Sequence, residues 1–402
     1  MNQSDLALTR PSTPGLPTAT WQAIPSWLGT LAALVLIFLY FAIAAPPEFR
    51  SQSNIELIAR QSAIIGTLAL GMTMVMILGG IDLSVGSVVA LGTVVVAGVL
   101  AVGAPPGGLM DRYPVLWPWV AVAAGILAGA LCGLVNGILI AGLNIMPFIV
   151  TLGMYLIARG VAKGLAHETL VNAPPSWLDN LLAVEPGQRW FLAPVVWAAI
   201  AGGLGLIGLG RRVAARRQAA WATRPGFLWT WRAVLLAAAA AGIIQAHVAF
   251  PAGVQTMLGL AIAVAALLRY TRFGRHTFAI GSNEATARLC GVAVRRLKII
   301  HYTLLGAFAG LAGVLLFSRL SVGDPTTAAG MELDVIAAVV IGGASLTGGE
   351  GSVFGSLLGA LIMNVIRTGY TQMGKPNWQQ EILTGAIIVA AVAFDRLRHR
   401  KN

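Results

Sequence analysis

Apolar residues run along this chain in long unbroken stretches. They lack the period-two alternation of a half-buried strand. Stretches near the length that crosses a hydrocarbon core, about 17–25 residues of helix, fall at 28–45, 58–79, 84–103, 117–141, 145–166, 190–210, 233–250, 252–268, 299–318, 333–349, 351–370 and 381–394. The pattern predicts twelve spans, with helices rather than a barrel as the spanning element. Several stretches are parted only by glycine-rich joints, so some are expected to be half-helices or re-entrant segments. The expected fold class is all-α, a polytopic membrane bundle of about ten to twelve transmembrane helices. The first stretch ends in Ala42-Ile43-Ala44, which could pass for a signal-peptidase site. The segment ahead of it is long and Pro/Thr-rich, with Arg10 as its one basic residue, and favours an uncleaved first span.

Charge then orients the map. Only 10% of the 402 residues are charged, against about 25% in soluble domains, and the net charge of +12 sits between the apolar runs. This places the basic residues in cytoplasmic loops and gives no reason to expect nucleic acid. Segment 211–232 carries Arg211, Arg212, Arg216, Arg217, Arg224 and Arg232 with no acid. Segment 269–298 carries Arg269, Arg272, Arg275, Arg288, Arg295, Arg296 and Lys298 against Glu284 alone. The tail adds Arg396, Arg398, Arg400 and Lys401. All three are expected on the cytoplasmic side, with 1–27 as a cytoplasmic N-terminal segment, 28–394 as the membrane domain and 395–402 as a basic cytoplasmic tail. Glu48, Glu56, Asp111, Asp179, Glu185, Asp324 and Glu332 fall in segments that the same map puts outside.

Several chemistries find no support. Cys132 and Cys290 lie far apart, the five histidines form no HxxxH pair, and GxxxxGK[ST] is missing. A disulfide framework, a metal site and an ATP-binding phosphate loop are therefore not expected in this chain. Neither a catalytic triad nor a pair of carboxylates suggests a membrane enzyme.

Three stretches carry more information. The first is Gly79-Gly80-Ile81-Asp82-Leu83-Ser84-Val85-Gly86-Ser87. A carboxylate deep in an apolar region costs roughly 2.5–3.5 kcal/mol on insertion scales. Asp82 thus reads either as part of a gate or pathway, or, with Ser84, as the N-cap of the next helix; a broken helix beside a pathway needs both. Asp82 is also read as the one acid near a span and away from an inner or outer loop. The second is the basic segment 273–292, where Ser282 or Asn283 can cap a short helix and Gly291 can end it in the left-handed conformation. A solvated loop held by anionic lipid has no need of Phe278, Ile280, Ala285, Ala287 and Leu289, so a short docking helix is expected here. The third runs from Ile341 to Gly359. Its Gly351, Gly355 and Gly359 share one helix face, as do Gly133 and Gly137 around Asn136. The pairs Gly342-Gly343 and Gly348-Gly349 suggest a hinge or re-entrant turn. Asn136, Asn144, Thr151, Asn364 and Gln245 read more readily as interhelical ties than as ligand contacts. His167 reads as interfacial, and Trp117, Trp119 and Trp190 as interface anchors.

Taken in order, four blocks resemble the permease subunits of ribose- and xylose-type ABC sugar importers. They are GGIDLSVGS at 79–87, Pro147-Phe148-Ile149-Val150-Thr151-Leu152-Gly153, the segment FGRHTFAIGSNEATARLCG, and IGGASLTGGEGSVFGS. The resemblance runs from about residue 55 to the C-terminus. The added length around 190–250 looks most like the D-xylose permease. The resemblance implies a ten-helix core in a bacterial inner membrane, a second permease copy as a two-fold dimer, a periplasmic sugar-binding protein that delivers the substrate, and a cytoplasmic ATPase that holds ATP and Mg2+. It makes 270–298 the coupling loop, with Gly274, Arg275, Gly281, Ser282, Asn283, Glu284, Ala285, Ala287, Arg288 and Gly291 meeting the ATPase. The pathway or gate is expected among Asp82, Ser84, Asn136, Phe148, Thr151, Gly342, Gly343 and Ser345. A secondary transporter, a channel, and a branched-chain amino-acid permease are the competing readings. The particular sugar is left open.

Overall fold

The computed structural model describes residues 27–182 and 251–399. The predicted stretches 190–210 and 233–250, the arginine-rich loop between them, and Glu185, Trp190 and Gln245 lie outside the described residues, as do 1–26 and 400–402. In chain order the helices are α1 (Trp27–Ala44), α2 (Gln52–Ile77), α3 (Val85–Val102), α4 (Leu109–Arg112), α5 (Leu116–Gly142), α6 (Pro147–Leu165), α7 (Ala252–Tyr270), α8 (Arg272–Ser282), α9 (Glu284–Leu289), α10 (Val294–Leu320), α11 (Met331–Ile341), α12 (Val353–Gln372) and α13 (Asn377–His399). Two dipeptide strands, β1 (Val171–Asn172) and β2 (Val322–Gly323), pair antiparallel. Among the described residues, α1, α2, α3, α5, α6, α7, α10 and α12 are long and apolar enough to cross a membrane. This is a polytopic all-helical membrane bundle.

The centre is built by α2 and α10. From Ser62 to Ile77 every residue of α2 is buried, as expected of a helix that is apolar on all sides. The contact of α10 with α5 is closer than ordinary side chains permit. A Cβ on Gly133 would fall on the carbonyl of Tyr302, and one on Gly306 would fall on the backbone of Gly129 and Gly133. Gly310 likewise has no room against Gly125 and Ile126. The glycine face read around Asn136 is therefore a packing surface, and its partner is the glycine face of α10. Packed backbones of this kind hold membrane helices together where no hydrophobic drive between them exists.

The loops sort into two ends. At one end β1 meets β2, the Trp177 indole N–H donates to Val115 O at 3.2 Å, and the Leu182 amide donates to Ser318 Oγ at 3.2 Å. Asp111 and Asp179 lie in this set of loops. Trp117 packs on Gly103 there and donates to Val99 O, and Trp119 lies against Trp177. The opposite end gathers α8, α9, the start of α10 and the turn 342–350. Gly142, at the end of α5, lies against Arg295.

Two expectations need correction. Stretch 333–349 is not a span. Its helix, α11, has 11 residues, about 16 Å long, against a core of about 30 Å. Gly343, Gly348 and Gly349 all take positive φ and turn the chain back. The missing length comes from the turn-rich segment before it. Gly323 lies against Val94 and Ala97, Asp324 O accepts from Thr93 Oγ1 at 3.3 Å, and Ala328 and Glu332 lie against Gly86. Residues 323–332 thus descend along α3 toward its first turn, and α11 continues in the same direction. Segment and half-helix together make one crossing. For the same reason Glu332 is not in an outer loop. It is buried inside the bundle, because α11 begins there.

The glycine contact gives the first prediction. Gly306→Ala is expected to overpack α10 against α5 and destabilise the chain by about 1–3 kcal/mol. Gly98→Ala, where nothing stands within 4 Å, is expected to leave it unchanged. Thermal unfolding of the two variants in detergent checks this; equal midpoints would contradict the packing account.

Candidate functional site

The break between α2 and α3 is built around Asp82. α2 stops at Ile77, Gly79 takes φ +79, and the Gly80 amide donates to Val75 O at 3.0 Å. Side chains then replace the helical hydrogen bonds. Asp82, 2% exposed, accepts on Oδ1 from the Ser84 amide at 2.7 Å and the Ser84 hydroxyl at 2.6 Å. Its Oδ2 accepts from Asn136 Nδ2 at 3.2 Å, and the same amide lies 3.2 Å from Ser84 Oγ. Asp82 therefore turns the chain into α3, while the Ser84 side chain makes no capping bond of its own. Through Asn136 it also ties the break to α5.

Three of the predicted pathway residues, Asp82, Ser84 and Asn136, are thus one buried cluster. The others stand elsewhere. Phe148 is exposed on the first turn of α6, and Thr151, fully buried, bonds within its own helix to Phe148 O. Gly342 packs on the backbone of Gly355. Gly343 and Ser345 belong to the turn 342–350, where Ser345 Oγ lies 2.9 Å from Thr347 Oγ1. Asn364 bonds within its own helix, to Ala360 O.

The basic segment is two helices rather than one. Thr271 caps α8 through the Gly274 amide at 3.3 Å, and Asn283 caps α9 through the Thr286 amide at 2.9 Å. Gly291, φ +78, follows α9 and lets the chain turn away. Gly274, Thr277 and Ile280 face inward. Phe273 stacks on the ring of His301 at 4.4 Å, and Thr277 Oγ1 lies 2.9 Å from its Nε2.

Two of the residues expected to meet the ATPase also have partners within the chain. Ala287, 4% exposed, packs against Leu78, Ile280, Val294 and Leu297. Glu284 forms ion pairs with Arg288 at 3.0 Å and with Lys298 at 2.7 Å. Partial burial alone would raise the Glu284 carboxyl; the hydrogen bond and charge of Lys298, joined by Arg288, hold it below its ordinary range instead. A helix of six residues has one face with which to anchor itself, and α9 uses Ala287 for that. What it turns outward is Ala285, Arg288 and Leu289, the last 89% exposed. Arg275, Ser282 and Asn283 are exposed as well.

The three informative stretches meet. The Gly349 amide donates to Ile77 O at 2.9 Å. A Cβ on Gly281 would fall on Ile77 O and on the Gly349 amide; one on Gly348 would lie 2.9 Å from the Gly79 amide and 3.0 Å from Gly281 O. The end of α2, the end of α8 and the turn 342–350 are thus in backbone contact, which requires glycine at these positions. Gly281 is consequently an internal contact, as is Gly274, which has no room against Leu268.

Sequence reasoning missed a set of charges within the apolar stretches. Asp334 pairs with Arg367 at 2.5 Å, so Asp82 is not the one acid set within a span. Arg159, on α6, donates from Nη1 to Pro325 O at 2.9 Å and to Thr327 O at 2.6 Å. The signal was available, since residues 159, 334 and 367 are ionisable positions within apolar runs.

The cluster at Asp82 yields a graded expectation. Asp82→Asn keeps an acceptor for the Ser84 amide, so a loss of about 1 kcal/mol is expected; Asp82→Ala strands the Ser84 and Asn136 donors in the interior, at a cost of about 2–3 kcal/mol. Thermal unfolding of the detergent-solubilised variants ranks them. An Ala variant as stable as the Asn variant would show that the carboxylate does not organise the break.

Comparison with known proteins agrees in extent with this arrangement. The family model described as branched-chain amino acid transport system / permease component matches residues 54–392. The xylose transport system permease protein of Haemophilus influenzae is 34% identical over 378 residues, covering 92% of this chain and 96% of the relative. The ribose import permease protein of Escherichia coli K12 is 33% identical over 372 residues, covering 92% and 94%. That of Bacillus subtilis 168 is 33% identical over 369 residues, covering 92% of each. No solved structure matches the chain. With a membrane bundle of the expected kind and a match across most of its length, this chain belongs to the branched-chain amino acid transport system / permease component family.

Proposed function

We propose that this chain is the membrane-embedded subunit of an ATP-driven importer of a monosaccharide. The observation that carries the reading is its likeness, over 92% of its length, to relatives named for xylose and ribose import. The chain catalyses no covalent step itself. A cytoplasmic ATPase hydrolyses ATP with Mg2+, a binding protein delivers the sugar from outside, and a second copy of the chain completes the permease. The basic end of the bundle, with both termini, faces the cytoplasm under the positive-inside rule.

In this reading α9 is the point of attachment. It presents Leu289 and Ala285 beside Arg288, an apolar knob with a positive rim, and it is braced from behind by Ala287 and by the Glu284 ion pairs. A braced helix passes on a rigid-body shift that a loose loop would absorb. The shift has a route inward, because α8 ends against both Ile77 and Gly349.

Two measurements test this. Leu289→Asp is expected to lower recovery of the ATPase with the chain by about tenfold or more while membrane insertion stays normal; full recovery would remove α9 from the interface. In proteoliposomes holding chain, ATPase and binding protein, ATP is expected to drive uptake of radiolabelled D-xylose or D-ribose and not of leucine. Leucine uptake would favour the amino-acid reading suggested by the family model's description. Sugar uptake that needs no ATPase and collapses with the ion gradient would favour a secondary transporter.

A further inference from the structure

Two helices begin inside the bundle rather than at its surface. α3 starts after the break at Asp82, and α11 starts after the turn-rich segment 323–330. The descent of that segment along α3 brings their first turns together, with Glu332 against Gly86. From this point α3 runs toward the end of the bundle that holds β1 and β2. α11 runs the other way for its 11 residues and packs Gly342 on Gly355. The meeting point thus lies about 16 Å from the end that carries α8 and α9, near half of a core of about 30 Å.

Helix N-termini that meet inside a membrane bundle resemble the way broken helices frame a solute in transporters, but a helix start alone specifies nothing. The side chains here add a second fact. Glu332 is 8% exposed, and its Oε2 has no hydrogen-bond partner among the described residues. Arg159 spends Nη1 on two carbonyls of the segment 323–330, and its buried Nη2 is likewise unpartnered. The two groups do not close into an ion pair within 4 Å, although Arg159 acts electrostatically on the Glu332 carboxyl. A third unpartnered group, the Ser87 hydroxyl, lies on the first turn of α3. Tyr155 places its ring 5.8 Å from the Arg159 guanidinium. A buried acceptor and a buried donor left unsatisfied are each costly, so an arrangement that keeps both has a use for them.

We propose that Glu332 and Arg159 form a hydroxyl-binding station on the translocation path, where the N-termini of α3 and α11 meet. A sugar hydroxyl donates to Glu332 Oε2 and another accepts from Arg159 Nη2, with Tyr155 as a nearby apolar wall. One negative and one positive group, each with a spare hydrogen bond, suit a neutral polyhydroxylated solute better than an ion, which would meet one of them as a like charge. Arg159 is only half-buried on α6, and Gly160 next to it has nothing within 4 Å, so the station lies close to an exposed face of α6. The inference rests on the sugar-importer reading above.

The test is ATP-driven uptake by the reconstituted complex of chain, ATPase and binding protein. The probes are D-xylose, D-ribose and their monodeoxy analogues, each rate normalised to the analogue's affinity for the binding protein. In Glu332→Gln and Arg159→Lys, uptake of the parent sugar is expected to fall about tenfold or more. The penalty for deleting a hydroxyl at one ring position is expected to vanish, since an interaction cannot be lost twice. Should Glu332→Gln fail to assemble, Arg159→Lys decides the matter by the same criterion, because lysine keeps the charge and a donor. Loss by one common factor for every analogue would make the pair a structural brace and overturn the proposal, as would uptake equal to wild type. A wild-type complex that moves no sugar at all would overturn the sugar reading itself, an outcome visible before any variant is made.

Discussion

Backbone polar groups in a hydrocarbon core must find partners within the protein, and the architecture follows from how this chain breaks that rule safely. An unbroken helix satisfies itself, but the chain interrupts its helices twice inside the bundle, at 78–84 and at 323–330. Both interruptions lie against neighbouring helices, and side chains serve in place of the missing helical partners. Asp82 takes the Ser84 amide, and Arg159 supplies donors to Pro325 O and Thr327 O. The ionisable residues that are most expensive in a membrane are therefore the ones that make irregular backbone tolerable there.

The same constraint accounts for the glycines. Broken segments fit inside a bundle only if the surrounding helices approach closely and leave room where it is needed. α5 and α10 meet backbone to backbone through Gly129, Gly133, Gly306 and Gly310. At the α8 end, Gly281, Gly348 and Gly349 let three chain segments touch with no side chains between them. Such a contact transmits displacement well, since no flexible side chain can take up the movement. In the proposed reading, this contact links the exposed α9 to the buried break at Asp82.

Much of this was legible in the sequence, and the remainder shows where one-dimensional pattern stops. Span positions were readable because apolar length is a local property: 117–141 became Leu116–Gly142, and 252–268 became Ala252–Tyr270. The Asn283 cap and the left-handed Gly291 were readable for the same reason. The short α11 was not, because Val335 to Ile341 is as apolar as any span and only its glycine pairs hint at an early stop. Which face of α9 looks inward was also hidden. Ala285 and Ala287 are equivalent as letters, and only the positions of Leu78 and Val294 distinguish them. The partners of Glu284 and the meeting of Glu332 with Gly86 depend on residues far apart in the chain, and no local period encodes them.

The central claim is that movement at α9, the proposed ATPase-facing helix, reaches the broken helices through the glycine junction. Hydrogen–deuterium exchange of the intact complex, with and without ATP and Mg2+, tests it most directly. The account predicts that nucleotide changes the exchange of 278–291, 78–84 and 342–350 together. Changes confined to 278–291, with the other two segments unaltered, would contradict it.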